Sequence, residues 1–229
     1  MMDVLESIIS DDGMLSVVRR DNMLALRNGD VGYSCIYTDD SVYQPIYMPI
    51  QKLLFSFVQS SQLKDALVLG GGCCTIPRYI IKQFNNTVVV DTVESCEEIV
   101  SLTYKYFLTN LSIDKLNIIT DDAFAFLKKS DKRYDFIYVD LFVGSDMPKQ
   151  VHTHSFLKDL SEHIKHNYLI AFNVYKSSID KCRCLTLSGS TFFKYCVIIA
   201  DEEDEDSRYV IFSNDSIDLL SQVVIVEPK

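Results

Sequence analysis

The sequence predicts an α/β protein with a doubly wound, mostly parallel sheet. Short β-prone runs alternate with segments whose apolar residues recur at helical spacing, and the apolar strand at residues 66–69 leads directly into three glycines. Strands that alternate with helices form parallel sheets covered on both faces. Near the end of the sequence two β-prone runs follow each other without a helix, which predicts an antiparallel C-terminal hairpin.

A small β appendage is predicted at the N-terminus, in residues 1–42. Its β-prone runs, within residues 14–37, are broken at Arg19–Asn22 and again at Asn28-Gly29, a dipeptide typical of a tight hairpin turn. Residues 43–229 contain no Pro-, Gly- or Ser-rich stretch that would divide them. We therefore expect them to form one main domain.

The main domain begins with a helical pattern over residues 47–61, followed by the strand that ends in the glycines. A helix from about Thr75 to Phe84 and a strand over residues 86–94 come next. The following segment, residues 97–108, predicts a long helix with one apolar face made of Ile99, Leu102, Tyr106 and Phe107.

The alternation then continues to the C-terminal hairpin. We expect strands over residues 115–120, 134–142 and 167–175, and helices over residues 122–130 and 153–164, the second capped by Thr153. The final hairpin joins two strands, in residues 191–200 and 208–214, through an acidic run that we interpret as a solvated loop.

Composition narrows the range of partners. The chain has 229 residues, with 22 Lys and Arg against 32 Asp and Glu, and no basic patch alternates with aromatic residues. This balance disfavours nucleic acid and anionic membranes as partners and favours a small molecule or another protein. The first residues carry acids where a signal peptide would be basic, and no apolar run approaches the roughly 18 residues of a membrane span, so we expect a cytoplasmic protein.

The seven cysteines are odd in number and irregularly spaced, which is typical of reduced thiols rather than of a disulfide framework. Cys182 and Cys184 lack the second pair or histidine that a zinc site requires. No metal site is predicted.

Chemically informative residues follow four of the predicted strands. Gly70, Gly71 and Gly72 follow the first, where they let the backbone pass close to a ligand while the next helix presents N–H groups. Glu94 ends the second strand, the pair Asp121-Asp122 follows the third, and Asp140 follows the fourth. Asp121 by itself is most simply a helix cap. Ligands of doubly wound sheets bind at the carboxyl ends of the strands, so these residues predict a binding site there.

The ligand predicted for this site is an adenosyl compound. No Gly-Lys-Ser/Thr follows the glycines, which excludes a P-loop, and Thr75 replaces the third glycine of the dinucleotide fingerprint. Acids at successive strand ends suit a cationic ligand without phosphates. S-adenosylmethionine fits, with its ribose at Glu94, its adenine amino group at Asp122 and its sulfonium near Asp140.

These motifs resemble those of the class I S-adenosylmethionine-dependent transferases, and most closely the spermidine synthase-like branch. The resemblance covers roughly residues 14–215 and rests on "LVLGGGCC", "VDTVESCEEIVSLTYKYF" and "IITDDAFAFLKKSDKRYDFIYVDLF". It implies a Rossmann-like methyltransferase fold, a donor that is S-adenosylmethionine or its decarboxylated form, no metal, a small-molecule acceptor and a homodimer. The donor-binding residues that it implies are Gly70, Gly71, Gly72, Cys73, Glu94, Ser95, Asp122 and Ala123.

The resemblance also implies an acceptor side. Asp140 and Tyr43 are the catalytic candidates, Asp140 as a base or as a group that orients an amine. The residues expected to line the substrate are Gln44, Phe142 and His152. His152 and His154 lie in the segment after Asp140, where a lid would be expected, and both are also compatible with an exposed position before the next helix.

The sequence departs from that branch at two carboxylates. Where authentic spermidine synthases read G-G-G-D-G-G, and use the Asp to bind the free amine of decarboxylated S-adenosylmethionine, this chain has Cys73; where they carry a second acid after the fourth strand, it has Val143. An unpaired buried ammonium is costly. We therefore expect methyl transfer from intact S-adenosylmethionine. Transfer of the aminopropyl or carboxyaminopropyl arm to an amine is one alternative, and a non-catalytic adenosyl-binding or interaction protein is the other.

Overall fold

The computed structural model describes residues 2–11, 13–38, 63–85, 87–108, 113–144, 146–174, 179–200, 208–214 and 224–225. The chain divides into two compact units: a first unit of residues 1–48 and 70–123, and a second unit of residues 49–69 and 124–229. The helix expected over residues 47–61, the two predicted site residues Tyr43 and Gln44, and the predicted domain boundary after residue 42 all lie outside the described residues.

The N-terminal appendage is a four-stranded antiparallel sheet in the order β1-β2-β3-β4. Its strands are β1 (Asp3–Ser10), β2 (Gly13–Arg20), β3 (Met23–Asn28) and β4 (Val31–Tyr37). Gly29 adopts the left-handed conformation, with φ of 56°, at the expected turn between β3 and β4. The appendage is thus confirmed, but β1 was not expected, because Asp3 and Glu6 interrupt its apolar residues.

The described residues in the rest of the first unit form two α-helices and two parallel strands. These are α1 (Thr75–Gln83), β6 (Val89–Glu94), α2 (Glu97–Leu102) and β7 (Leu116–Thr120). A π-helical turn, Thr103–Phe107, continues α2 and carries its apolar face onward. Because β6 and β7 pair in parallel with Glu94 opposite Thr120, the carboxyl ends of the two strands are level.

The appendage packs directly against this part of the first unit. One face of its sheet supplies Leu15, Val17, Leu24, Leu26 and Ile36 to a buried apolar cluster that also contains Cys73, Ile99, Leu102 and Phe107. At the edge of the cluster, the Glu6 carboxylate on β1 accepts hydrogen bonds from Lys105 and Tyr106 in the π-helical turn. The expected apolar face of α2 is confirmed, and its partner is the appendage.

The second unit contains a mixed sheet in the order β12-β10-β11-β9-β8-β5. Its strands are β5 (Asp65–Leu69), β8 (Tyr134–Val139), β9 (Ile164–Asn173), β10 (Tyr195–Ala200), β11 (Arg208–Ser213) and β12 (Val224–Ile225). β5, β8 and β9 pair in parallel, whereas β11 pairs antiparallel with both β9 and β10. The expected parallel sheet with an antiparallel C-terminal hairpin is confirmed.

Among the described residues, three helices accompany these strands: α3 (Ala123–Lys129), which begins at the last residue of the first unit, α4 (His154–Glu162) and α5 (Ile179–Gly189). The expected cap of α4 is confirmed, since the Phe156 N–H donates to the Thr153 hydroxyl at 3.3 Å. The sequence did not predict α5. Its final glycine lies so close to β11 that a Cβ at Gly189 would come within 2.3 Å of the Phe212 ring.

Candidate functional site

The loop after β5 folds tightly onto the end of β6. The N–H groups of Gly70 and Gly71 both donate to the Val93 carbonyl at 3.0 Å, and the Cys74 N–H closes a turn on the Gly71 carbonyl at 2.9 Å. The Gly72 N–H donates to the Glu94 carboxylate at 2.8 Å, and the Cys73 N–H to the Ser34 hydroxyl at 3.1 Å.

Each N–H from Gly70 to Cys74 is therefore engaged within the first unit. Because these five amides are engaged, the loop from Gly70 to Cys74 does not itself offer N–H groups to a phosphate. The loop instead allows a ligand to come close to its backbone.

Gly71 is the residue at which this approach requires glycine. A Cβ built on Gly71 would lie 2.4 Å from the Thr92 hydroxyl oxygen, which is fully buried on β6, and 3.6 Å from the Glu94 Cβ. Such a separation is far below van der Waals contact, so a side chain there would displace the loop or the strand. The glycine run thus fixes the distance between the loop and β6.

Glu94 connects the two sides of this loop. One of its carboxylate oxygens accepts from the Gly72 N–H, and the other accepts from the Cys96 N–H at 3.0 Å. These two bonds orient the Glu94 carboxylate, a group that accepts hydrogen bonds through both of its oxygens. The side chain is half-buried and is followed by the exposed Ser95.

The end of β7 lies beside Glu94. The Asp121 N–H donates to the Glu94 carbonyl at 3.2 Å, and the Asp121 carboxylate accepts from the Asp122 N–H at 2.9 Å. Asp121 therefore orders the chain before α3, in line with its expected structural role, while Asp122 is exposed and Ala123, the first residue of α3, is buried. The structure brings Gly70, Gly71, Gly72, Glu94, Ser95, Asp122 and Ala123 together within the first unit.

Cys73 and Cys74 are buried thiols rather than exposed ligand contacts. Burial raises the pKa of the Cys73 thiol well above its ordinary value. Burial, followed by the negative charge of Glu94, raises the pKa of Cys74 to about 12. Both side chains are neutral near pH 7. The Cys73 side chain is completely buried in the apolar cluster, where its thiol also hydrogen-bonds with Thr103 and Ser34.

Alkylation is expected to distinguish these thiols from the exposed Cys184. Iodoacetamide reacts with thiolates, so near neutral pH it should modify Cys184 first and leave Cys73 and Cys74 intact in the folded protein. Peptide mass spectrometry over a time course measures the order of labelling. Labelling in urea is the control, since both buried thiols should then react. Rapid labelling of Cys73 in the native state would contradict its assignment to the core.

In the second unit, Asp140 follows β8 and is paired with a residue that sequence reasoning missed. Its N–H donates to the Leu69 carbonyl at 2.8 Å, and its carboxylate accepts from the Asn173 side-chain amide at 2.8 Å. Asn173 is the last residue of β9, and both side chains are half-buried. The available signal was a polar residue directly after the apolar run Leu169–Phe172.

The segment after Asp140 contains the other second-unit candidates. Val143 and Asp146 bond through their backbones in a tight turn next to Phe142, which is half-buried. His152 ends a 3-10 turn, Lys149–His152, and is also half-buried. Burial, followed by the positive charge of Lys181, lowers the pKa of His152 below its ordinary value. The imidazole is therefore neutral near pH 7 and able to accept a proton.

Two features are absent from the described part of the chain. It contains no group of three or more His, Cys, Asp or Glu residues placed to hold a metal ion. It also contains no helix that is long and apolar enough to cross a membrane.

Comparison with known proteins identifies a family model and two curated relatives that this chain resembles. The family model described as "Spermine/spermidine synthase domain" matches residues 50–177. An N-terminal histidine N-methyltransferase of Emericella nidulans is 27% identical over 209 residues, which are 74% of this chain and 35% of that protein. An uncharacterized protein of Methanocaldococcus jannaschii is 29% identical over 126 residues, 43% of this chain and 35% of that protein. The chain thus spans about a third of the length of these curated relatives.

Solved structures share the fold. A probable spermidine synthase from Corynebacterium glutamicum superimposes with a TM-score of 0.76 at 18% identity, covering 95% of this chain and 81% of that one. Human methyltransferase-like protein 13, in complex with SAH, gives a TM-score of 0.60 at 13% identity, covering 73% and 81%. At these identities the likeness establishes the fold, and it confirms the Rossmann-like methyltransferase architecture that the motifs implied.

Proposed function

The chain belongs to the spermine/spermidine synthase domain family, and on that premise we propose that it is an S-adenosylmethionine-dependent transferase that carries out methyl transfer. The donor site is the loop Gly70–Gly72 with Glu94, Ser95, Asp122 and Ala123. The observation that supports it most strongly is the geometry of Glu94, a half-buried carboxylate oriented by the Gly72 and Cys96 N–H groups at the carboxyl end of β6. That arrangement suits the two hydroxyls of a ribose.

The engaged N–H groups of the loop support a donor without phosphates. An adenosyl donor needs the ribose carboxylate, an acceptor for the adenine amino group and close backbone approach, and the first unit supplies all three in Glu94, Asp122 and Gly71. The sulfonium is already activated, so the protein mainly has to hold the acceptor in line with the methyl group. We propose Asp140 as the group that receives the acceptor's proton, with Tyr43, Gln44, Phe142 and His152 on the acceptor side.

Two features support methyl transfer over arm transfer. The thiol at position 73 is neutral and buried, so no carboxylate is available there for the amine of a decarboxylated donor. Val143 likewise carries no charge where the family has its second acid, and its side chain is 67% exposed. One curated relative, moreover, is named as a methyltransferase of an N-terminal histidine.

Product analysis tests the proposal. The purified protein is incubated with S-adenosylmethionine, or with its decarboxylated form, and with two acceptor probes: a peptide that begins with histidine, and putrescine. Methyl transfer produces S-adenosylhomocysteine, whereas arm transfer produces methylthioadenosine, and the two are separated by mass. Methylthioadenosine as the main product would overturn methyl transfer. If calorimetry detected no binding of either donor or of methylthioadenosine, methyl transfer and arm transfer would both be excluded, and of the non-catalytic alternatives only an interaction protein would remain.

We also propose a cytoplasmic location and a homodimeric state. The cysteines of the described residues, none of which forms a disulfide, support the first. An exposed apolar pair on the edge strand β1 and its neighbour β2, Ile9 opposite Met14 at 78% and 57% exposure, supports the second. Sedimentation equilibrium should show a dimer that Ile9→Glu weakens, and a monomeric wild type would contradict this.

A further inference from the structure

Asp140 and Asn173 form a side-chain pair at one end of the second-unit sheet. The two residues follow register partners on neighbouring parallel strands, because Val139 on β8 lies opposite Phe172 on β9. The Asn173 Nδ2 donates to the Asp140 Oδ1 at 2.8 Å, and the Asp140 backbone is held by its bond to the Leu69 carbonyl. Both strands end here, and the carboxyl ends of parallel strands are where this class of fold binds ligands.

We propose that Asn173 is the positioning residue for Asp140, a role that rests on the proposed transferase function. The hydrogen bond from the Asn173 amide restricts the rotation of the Asp140 carboxylate and so biases the direction of its second oxygen. A base must point at the proton that it removes to within hydrogen-bond distance. Asn173 therefore sets the direction in which Asp140 faces the acceptor.

In the proposed reaction, Asp140 takes part as the acceptor of a proton. The lone pair of the acceptor forms a bond to the methyl carbon of S-adenosylmethionine, the carbon–sulfur bond breaks, and its electrons remain on sulfur as the neutral thioether of S-adenosylhomocysteine. The methylated acceptor atom now carries the positive charge and releases its proton to the Asp140 carboxylate, which then passes it to water. Misdirection of Asp140 slows this step and leaves binding of the donor unchanged.

The chain contains a matched control pair. The Asn117 side-chain amide donates to the Asp91 carboxylate at 2.7 Å, also between register partners on neighbouring parallel strands, β6 and β7. Asn117 lies near the start of β7 rather than at its carboxyl end. Its variants therefore report what the loss of the same hydrogen bond does to the protein at a position that no ligand is expected to reach.

Four variants test the role: Asn173→Ala, Asn173→Asp, Asn117→Ala and Asn117→Asp. With whichever acceptor probe the wild type methylates, Asn173→Ala should lower kcat by about 10- to 100-fold while the KM for S-adenosylmethionine changes by less than about twofold. Asn173→Asp should lower kcat further, because aspartate keeps the shape of asparagine but replaces the amide donor with a second carboxylate. If Asn173 only filled space, Asn173→Ala would instead lower kcat more than Asn173→Asp. Both Asn117 variants should retain the wild-type kcat.

A second measurement does not depend on turnover. In protein labelled with ¹³C at aspartate carboxyl carbons, the Asp140 resonance should shift between wild type and Asn173→Ala and stay constant in Asn117→Ala. Wild-type turnover with equal kcat in Asn173→Ala and Asn117→Ala would overturn the positioning role, as would an unchanged Asp140 resonance. Failure of the proposed function is distinct, because the wild type itself would then form no S-adenosylhomocysteine, and the resonance alone would decide whether Asn173 holds Asp140.

Discussion

Replacing Glu94 with glutamine should weaken S-adenosylmethionine binding about 100-fold. The carboxylate accepts from the Gly72 and Cys96 N–H groups and, in the proposed complex, from two ribose hydroxyls. Hydrogen bonds to a charged group contribute about 1.5–3 kcal/mol each, and a loss of about 2.8 kcal/mol corresponds to 100-fold in Kd. Glutamine also turns an amide donor toward one of the two backbone N–H donors, which loosens the loop. Isothermal titration calorimetry measures the change.

The control for this prediction is Glu97→Gln. Glu97 is an exposed carboxylate in the first turn of α2, three residues along the chain, and its loss should leave Kd near the wild-type value. Methylthioadenosine provides a second check because it shares the ribose but lacks the amino acid portion of the donor. Its affinity should fall by a similar factor in Glu94→Gln. Equal affinities of Glu94→Gln and Glu97→Gln for both ligands would contradict the assignment of Glu94 to the ribose.

The positions of the strand ends could be predicted from the sequence because each buried strand is a short apolar run that ends abruptly in glycine or an acid. That pattern located Gly70, Glu94, Asp122 and Asp140 at strand ends, as the structure has them. The apolar face of α2 could also be predicted from the sequence, since Ile99, Leu102 and Phe107 recur at helical spacing. Both inferences depend on periodicity within one segment of the chain.

The hydrogen bonds that the sequence could not predict join residues that are distant in the chain. The Cys73 N–H is satisfied by Ser34, which lies in the appendage 39 residues earlier. The appendage therefore supports the glycine loop, whereas the sequence predicted the appendage as a separate element. Asp140 is oriented by Asn173, 33 residues later, and no motif joins them. The short helix α5 was missed for a different reason: its buried residues, such as Cys182 and Leu185, alternate with charged ones too irregularly to indicate a face.

The burial of Cys73 also changes which experiment can test donor choice. Introducing an aspartate at position 73 would place a carboxylate among Leu15, Leu26 and Phe107, in a site without exposure to solvent. A buried charge without a partner destabilises the fold by several kcal/mol. Such a variant would report on folding rather than on the choice between methyl and aminopropyl transfer. Product analysis of the natural chain is therefore the informative test of reaction type.

Gly71→Ala should be among the most damaging single-methyl changes in the first unit. The new Cβ would meet the Thr92 hydroxyl oxygen at 2.4 Å, and Thr92 is fully buried on β6 and cannot move away freely. Overpacking of this kind destabilises by about 1–3 kcal/mol, which lowers Tm by roughly 2–4 °C per kcal/mol in a protein of this size. Because the loop must shift away from Glu94, donor affinity should fall as well. Thermal unfolding and calorimetry measure the two effects.

A double-mutant cycle with Thr92→Ala isolates the cause. The Thr92 hydroxyl has no hydrogen-bond partner among the described residues, so its removal costs little on its own and creates the space that the new methyl group needs. The double variant should therefore be more stable than Gly71→Ala alone, with a coupling of about 1–2 kcal/mol. Gly32→Ala is the control, since no atom lies within 4 Å of a Cβ at that position. Additive effects of Gly71→Ala and Thr92→Ala would show that the loop does not depend on this close approach to β6.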